Sequence, residues 1–133
     1  MTTQTSIHQA IDVLHGRVRG AVLTPDDPGY DDARAVHDIS RDAHPAVIVQ
    51  PAATEDVAMA VRFARAESLP LAVKGGGHSL AGHSAVDGSL LIDMGRMRAV
   101  AVDARAARAV VQGGATSADL AGPAAAEGFA LST

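Results

Sequence analysis

Residues Lys74 to Ser84 read KGGGHSLAGHS and directly follow the short apolar run Leu71 to Val73. Three successive glycines cost conformational entropy on folding, so a fold retains them where the backbone turns sharply or another group comes close. Their N–H groups can converge on an anion because no Cβ atom intervenes. Lys74 adds a positive charge at the entrance of this loop, and Ser79 and Ser84 add hydroxyl donors. The pattern favours a diphosphate ligand.

The glycine run matches neither of two common phosphate-binding motifs. No Gly-Lys-Ser/Thr follows the glycines, as a Walker A loop requires, and no helix opens behind them, as the Rossmann G-x-G-x-x-G fingerprint requires. A run of glycines is also typical of a flexible linker. Its position between the apolar segments Leu71–Val73 and Leu90–Ile92 weakens the linker interpretation and leaves it open.

His78 and His83 lie five residues apart in the loop. A metal pair is one interpretation, but no third ligand stands at metal-site spacing, and His37 and His44 are far away in sequence. Because zinc sites normally use three or four protein ligands, we expect no metal. His83 is interpreted as a solvated loop histidine. His78, between glycines and a serine, is the candidate for an imidazole nucleophile or a cofactor contact.

The residues before the loop predict a strand, a helix and a second strand. Ala46 to Gln50 is a β-branched run, and Leu71 to Val73 is the next strand. Thr54 is a candidate N-cap for a helix that ends near Ser68, and the acids at positions 55 and 56 are placed to meet the positive helix end. Strand–helix–strand units usually pair their strands in parallel, which we expect here.

Downstream of the loop, the sequence predicts a strand and then an antiparallel pair: Leu90–Asp93, followed by Val100–Val102 and Ala109–Gln112. Thr116 to Asp119 has the form of a capping box, with Asp in place of the preferred Glu. The helix that follows, from Ser117 to about Glu127, contains Pro123, which should kink it or end it early. Phe129 to Leu131 looks like the beginning of another strand.

The N-terminal residues predict a helical arm followed by a linker. Ser6 to Val18 carries apolar residues at helical spacing. Thr24 to Ala33 contains two prolines, a glycine and four aspartates, which indicate a surface loop, and we expect Tyr30 to be exposed there. Residues 1–40 therefore form the arm and linker, and residues 41–133 form a domain. The fold class is α+β, a mixed α/β sheet with flanking helices.

Composition excludes several classes of protein. The 133 residues are 47% apolar but only 2% aromatic, so Ala, Val, Leu and Ile must build the core. The net charge of −4 and the lack of a basic stripe argue against a nucleic-acid partner. Without cysteine there are no disulfides, thiolate nucleophiles or cysteine zinc sites. The N-terminus does not read as a signal peptide, and no apolar run approaches membrane-spanning length. We expect a cytoplasmic protein that does not bind membranes.

Several ordered motifs from Pro45 onwards resemble one family. They read VQPAATEDV at residues 49–57, KGGGHS at 74–79, DGSLLIDM at 87–94 and GGAT at 113–116. This series resembles the FAD-binding, PCMH-type domain of the vanillyl-alcohol oxidase / p-cresol methylhydroxylase superfamily, and within it the berberine-bridge-enzyme-like branch. The fold implied is the first subdomain of such a domain.

The resemblance implies a cofactor and its contacts. Gly75, Gly76, Gly77, His78 and Ser79 would wrap the FAD pyrophosphate, and Gly82 and Ser84 would line the same cofactor. His78 stands where many members attach the flavin to an imidazole nitrogen. Lys74 stands where arginine is frequent, so its contact would be that of a point charge. In the family, the flavin accepts a hydride from an alcohol or amine carbon, and oxygen often reoxidises it.

The chain departs from the family in length. Family enzymes are several times longer and contain a substrate domain and a catalytic base, neither of which we expect within these residues. The resemblance therefore implies the FAD-binding part of an oxidase, as a truncated chain or as one half of a split enzyme whose flavin site a second chain completes. Two alternatives stay open: a non-catalytic diphosphate-binding module, and an inactive structural remnant with an open sheet edge.

Overall fold

The computed structural model describes residues 2–132, with side chains from residue 7 onwards. The helices are α1 (Thr2–His15), α2 (Tyr30–Arg34), α3 (Thr54–Ala66) and α4 (Ser117–Ala126). The strands are β1 (Ala21–Leu23), β2 (Val47–Gln50), β3 (Leu71–Lys74), β4 (Leu90–Asp93), β5 (Val100–Asp103) and β6 (Arg108–Val111), with a 3-10 turn at Met94–Arg96. None of the helices in this part of the chain is long and apolar enough to cross a membrane.

A four-stranded mixed sheet forms the centre, in the order β1-β2-β4-β3. β4 is parallel to both β2 and β3, and β1 pairs antiparallel with β2. The predicted strands and the mixed sheet are therefore confirmed. The parallel orientation expected for β2 and β3 is confirmed, but the two strands do not pair directly, because the completely buried strand β4 lies between them. Leu90 in β4 faces Val47 on one side and Leu71 on the other.

The two faces of this sheet carry separate apolar clusters, because successive strand residues point to opposite faces. One cluster packs α1 and α3 against the sheet and is built from small and branched side chains: Ile11, Leu14, Val22, Val47, Val49, Ala60, Ala64, Leu90 and Ile92. The other cluster packs α2 and Ala85 against the opposite face: Tyr30, Ala33, Ile48, Ala72, Ala85 and Leu91. The predicted aliphatic core is confirmed.

The segment expected to be a polar linker contains one buried aromatic residue, Tyr30. Tyr30 is only 3% exposed, and its hydroxyl donates to the Pro45 carbonyl at 2.6 Å. The expectation that Tyr30 is a surface residue is therefore wrong. The aspartates around it are exposed, but Tyr30 starts α2 and points inward, where its hydroxyl has an acceptor. The boundary expected near residue 40 stays a prediction, although α1 and β1 share the core of the sheet.

The start of α3 differs from expectation. Ala53 is the N-cap without a side-chain bond, so the prediction that Thr54 caps the helix is wrong. Asp56 instead turns inward, where it is 2% exposed and accepts from the backbone N–H groups of Arg19, Gly20 and Ala52 at 2.9–3.0 Å. Burial disfavours the charged form of Asp56, but these amides outweigh it and lower its pKa. One buried carboxylate therefore ties the entry to β1 to the start of α3.

The C-terminal part is a two-stranded antiparallel sheet, β5–β6, packed on α4. The predicted pair is confirmed. Helix α4 continues through Pro123 to Ala126, as its predicted extent requires; Pro123 does not end it early, and the alternative of a kink stays a prediction. The strand expected at Phe129 to Leu131 is also wrong, since these residues have no strand partner within residues 2–132.

Candidate functional site

The glycine-rich loop begins at the carboxyl edge of the parallel strands. β2, β4 and β3 end at Gln50, Asp93 and Lys74, and parallel pairing brings these three ends side by side. Ligands of open α/β sheets bind outside this edge. The loop therefore starts from the end of a strand that is paired with the buried strand β4, so its first residue has a fixed position.

The loop offers a row of free backbone donors. Within residues 2–132, the N–H groups of Gly76, Gly77, His78 and Ser79 have no protein acceptor. No acidic residue lies between Lys74 and Val86, so no carboxylate of the loop competes with a bound anion. Four successive amides without a carboxylate fit the oxygens of a diphosphate, all of which are acceptors. The residues present therefore fit the phosphate part of a dinucleotide.

Two glycines of the loop are required by its backbone. Gly77 is buried and has φ +75°, and Gly82 has φ +83°, a region that L-residues with a Cβ atom rarely adopt. A Cβ atom on Gly82 would lie 2.1 Å from Nη1 of Arg41. The turn from Ser79 to Gly82 is closed by the Gly82 N–H bond to the Ser79 carbonyl at 3.2 Å. The glycine run is thus a folded loop, which overturns the linker interpretation.

Lys74 lies behind the loop. The residue is 8% exposed, and its ammonium donates to the carbonyls of Ala33 and Ala35 and lies 3.7 Å from Oδ1 of Asp93. Oδ2 of Asp93 accepts from Nε2 of Gln50 at 2.9 Å. The charge expected at the loop entrance is therefore compensated by a buried carboxylate. A direct contact between Lys74 and a phosphate stays a prediction.

His78 is exposed at the end of the glycine run, and its ring lies against the ring of His37. The two ring centroids are 4.5 Å apart, and the ring planes are tilted by 40°. The His37 N–H donates to the Gly77 carbonyl at 3.0 Å, so this neighbour is fixed by the loop backbone. The sequence argument missed His37, because 41 residues separate the two histidines. Its position beside His78 follows from the packing of α2 on the sheet.

The two serines differ in their environment. Oγ of Ser79 accepts from the His83 N–H at 3.1 Å, which leaves the hydroxyl proton of Ser79 available as a donor. Ser84 is buried at 8% exposure beside Ala85, which packs on the second face of the sheet. The side chain of His83 is exposed. In the part of the chain that the structure describes, no group of three His, Cys, Asp or Glu side chains could hold a metal ion.

A second glycine-rich segment, Gly113 to Thr116, meets the loop. A Cβ atom on Gly75 would lie 2.8 Å from the Gly113 carbonyl oxygen, so the two backbones are in close contact. Gly114 packs on the turn after β4, where its own Cβ atom would lie 1.7 Å from the Met94 carbonyl oxygen. The structure thus brings together two motifs that lie about forty residues apart in sequence.

Helix α4 begins at this second segment with a capping box that engages the N–H groups of Thr116 and Asp119. Oγ1 of Thr116 accepts from the Asp119 N–H at 3.3 Å, and Asp119 accepts from the Thr116 N–H at 2.7 Å, so the predicted capping box is confirmed. Arg98 donates two hydrogen bonds to Asp119, at 2.9 and 2.8 Å. These bonds, that of Arg98 first, hold the pKa of Asp119 well below its ordinary value.

Comparison with known proteins identifies the family of the domain. Residues 45–133 match the family model of the FAD binding domain. (R)-6-hydroxynicotine oxidase of Paenarthrobacter nicotinovorans is 34% identical over 116 residues, which are 87% of this chain and 25% of the relative. The chain therefore spans about a quarter of the length of that relative.

Solved structures share the fold. The crystal structure of 6-hydroxy-D-nicotine oxidase from Arthrobacter nicotinovorans superposes with a TM-score of 0.79 at 33% identity, covering 84% of this chain and 24% of the other. Wild-type BBE-like 1 of Physcomitrella patens superposes with a TM-score of 0.69 at 25% identity, covering 76% and 22%. The resemblance to PCMH-type FAD-linked oxidases is confirmed, and the berberine-bridge-enzyme-like branch is among the neighbours. The chain therefore belongs to the FAD-binding domain family of FAD-linked oxidoreductases, and FAD is the cofactor of its domain.

Proposed function

We propose that the backbone amides of Gly75 to Ser79 bind the diphosphate of FAD, and that the chain is the FAD-binding part of an oxidase. The substrate class we propose is an alcohol or a similar small organic molecule, with O2 as the electron acceptor. The observation that carries the proposal is the run of four donors, Gly76 to Ser79, which have no acceptor among the described residues 2–132. Backbone donors that are already in place bind an anion with little reorganisation.

FAD, when bound, supplies the hydride acceptor for the oxidation of the substrate. The residues of this chain bind and orient it. The loop amides replace the water around the two phosphates, and the hydroxyl of Ser79 adds a donor beside them. Gly82 and Ser84 line the cofactor where the loop turns back toward β4. Lys74, held by Asp93 and two carbonyls, keeps the first residue of the loop in place.

His78 is proposed as the residue that attaches the flavin through an imidazole nitrogen. Its support is geometric: the side chain is exposed at the end of the glycine run and makes no hydrogen bond to residues 2–132. A neutral imidazole nitrogen with a free lone pair is a competent nucleophile. Attachment would fix the flavin ring relative to the phosphates, which the same loop holds.

The rest of the enzyme is also part of the proposal. Because the chain spans about a quarter of its relative, the substrate-binding groups and the catalytic base belong to protein outside these residues, continuous with them or on a second chain. Membership of the berberine-bridge-enzyme-like branch and a cytoplasmic location complete the proposal.

The test compares His78→Ala with His83→Ala, since both histidines are exposed in the same loop. Each chain is supplied with FAD, precipitated with acid, and its visible spectrum is recorded. The unsubstituted chain and His83→Ala should keep a flavin spectrum in the precipitate, and His78→Ala should lose it. A flavin that stays with precipitated His78→Ala would exclude this attachment.

Binding without attachment is measured on the same samples before precipitation. FAD, ADP and inorganic pyrophosphate are titrated in parallel. Binding of FAD well above that of ADP supports a flavin site. Equal affinity for FAD, ADP and pyrophosphate would instead favour the alternative of a diphosphate-binding module without redox chemistry.

A further inference from the structure

The segment 33–41 contacts the glycine-rich loop at several points, although it precedes the residues matched by the family model. The Lys74 ammonium binds its carbonyls at Ala33 and Ala35. The His37 N–H donates to the Gly77 carbonyl at 3.0 Å, and Nη2 of Arg41 donates to the Leu80 carbonyl at 2.7 Å. The His37 ring also lies against the His78 ring, with centroids 4.5 Å apart.

We infer that the segment 33–41 is a positioning element of the FAD site: it aims the loop amides before FAD arrives, and His37 orients the His78 ring. This inference rests on the proposed function of the loop. It assigns a role to residues that the sequence indicated only as an arm and linker.

The direction of the two backbone contacts supports this role. In a planar trans peptide, the carbonyl of one residue and the N–H of the next point in opposite directions, and the chain has no cis peptides between residues 2 and 132. The bond from His37 to the Gly77 carbonyl therefore turns the His78 N–H away from the segment. The bond from Arg41 to the Leu80 carbonyl does the same for the Ala81 N–H. The segment therefore donates to the carbonyls of Gly77 and Leu80 and leaves the N–H groups that follow them free.

The loop needs such support because of its composition. Glycines lose more conformational freedom on ordering than other residues, and three stand in a row here. A loop that is ordered only on binding loses affinity by the cost of that ordering. Gly77 also packs directly on the segment, since a Cβ atom there would lie 3.4 Å from the Cα atom of Val36.

The experiment measures loop order in the FAD-free chain by ¹⁵N relaxation and then measures FAD affinity. The variants are His37→Ala and Arg41→Ala. His37→Phe restores a ring beside His78, and Arg41→Lys keeps the charge without the planar guanidinium. Arg62→Ala removes an exposed arginine of α3 as a charge-matched control, and His83→Ala is the control for His37→Ala.

We expect order parameters of about 0.85 for the Gly76–Ser79 amides in the unsubstituted chain. In Arg41→Ala these values should fall below about 0.6. In His37→Ala the order parameter should be lowered at His78. FAD affinity should fall about tenfold in both and be restored in His37→Phe. The Arg62→Ala and His83→Ala controls should match the unsubstituted chain. Arg41→Lys should behave like Arg41→Ala.

Unchanged order parameters in both alanine variants would overturn the inference, as would a loop that is already disordered in the unsubstituted chain. Weaker FAD binding with an unchanged loop, rescued by Arg41→Lys, would also overturn it, because Arg41 would then act by its charge. The order parameters are read without FAD. Failure of the unsubstituted chain to bind FAD would therefore count against the proposed function alone.

Discussion

The two glycine-rich segments of this chain lie in contact, yet they leave their backbone donors in opposite states. In the first, Gly76 to Ser79 present four N–H groups that have no acceptor in the part of the chain that the structure describes. In the second, the N–H groups of Gly114, Ala115 and Thr116 donate to the Met97 carbonyl, the Gln112 carbonyl and the Asp119 carboxylate. The comparison teaches that glycine runs alike in sequence can be used differently: the second packs closely on the turn after β4, and we propose that the first binds the cofactor.

The largest expected effect is a loss of stability on substitution in the second glycine-rich segment, Gly113 to Thr116. In Gly114→Ala the new Cβ atom would lie 1.7 Å from the Met94 carbonyl oxygen, which is backbone and cannot turn away. We expect a loss of about 3 kcal/mol or more in the free energy of unfolding, measured by urea denaturation. The neighbouring Gly113→Ala meets only the Met94 side chain at 3.6 Å and should change stability by less than about 1 kcal/mol. Equal stability of the two variants would contradict the packing role.

A substitution in the first glycine-rich segment should change the affinity for FAD more than the stability of the chain. Gly77→Ala forces alanine to φ +75°, which costs about 1–2 kcal/mol of stability. Gly88→Ala is the matched control, with φ +67° and open space around its Cβ position, at the opposite edge of the sheet before β4. Both variants should lose similar stability. Only Gly77→Ala should weaken FAD binding, by about tenfold or more in a fluorescence titration; equal weakening in both would contradict a local role for the loop.

The smallest effect concerns the Asp119 carboxylate in the capping box of α4. The depressed pKa of Asp119 means that its contribution to stability is present above the unfolded-state pKa of about 4 and is lost as pH falls through the lower folded pKa. Urea midpoints between about pH 5 and pH 2 should therefore fall less steeply for Asp119→Asn than for the unsubstituted chain. Identical slopes would show that the capping box does not engage the carboxylate in solution. FAD affinity near neutral pH should be unchanged.

Local patterns predicted much of this molecule. Three strands were predictable from their β-branched and apolar residues: Val47–Gln50, Leu71–Lys74 and Leu90–Asp93. The capping box at Thr116 and Asp119 was equally visible, since both partners lie within one helical turn. Motif order then placed the loop between strands and predicted its cofactor family.

Contacts between distant residues were not predictable in this way. Tyr30 sits among exposed aspartates, and only the packing of α2 on the sheet explains its burial. The sequence predicted that the Lys74 charge is available at the loop entrance, but Asp93 on the neighbouring strand compensates this charge. The contact between His37 and His78 was not predicted, because the two residues lie far apart in sequence. The Lys74–Asp93 contact depends on the insertion of β4 between β2 and β3, which no local pattern encodes.

The most direct test of the contrast between open and closed donors is a ¹H–¹⁵N titration of the chain with FAD and, in parallel, with inorganic pyrophosphate. The account predicts that the amide signals of Gly76, Gly77, His78 and Ser79 shift with both ligands, while those of Gly114 to Thr116 stay in place. Shifts centred on Gly114 to Thr116, or no shift in the loop at saturating FAD, would contradict it.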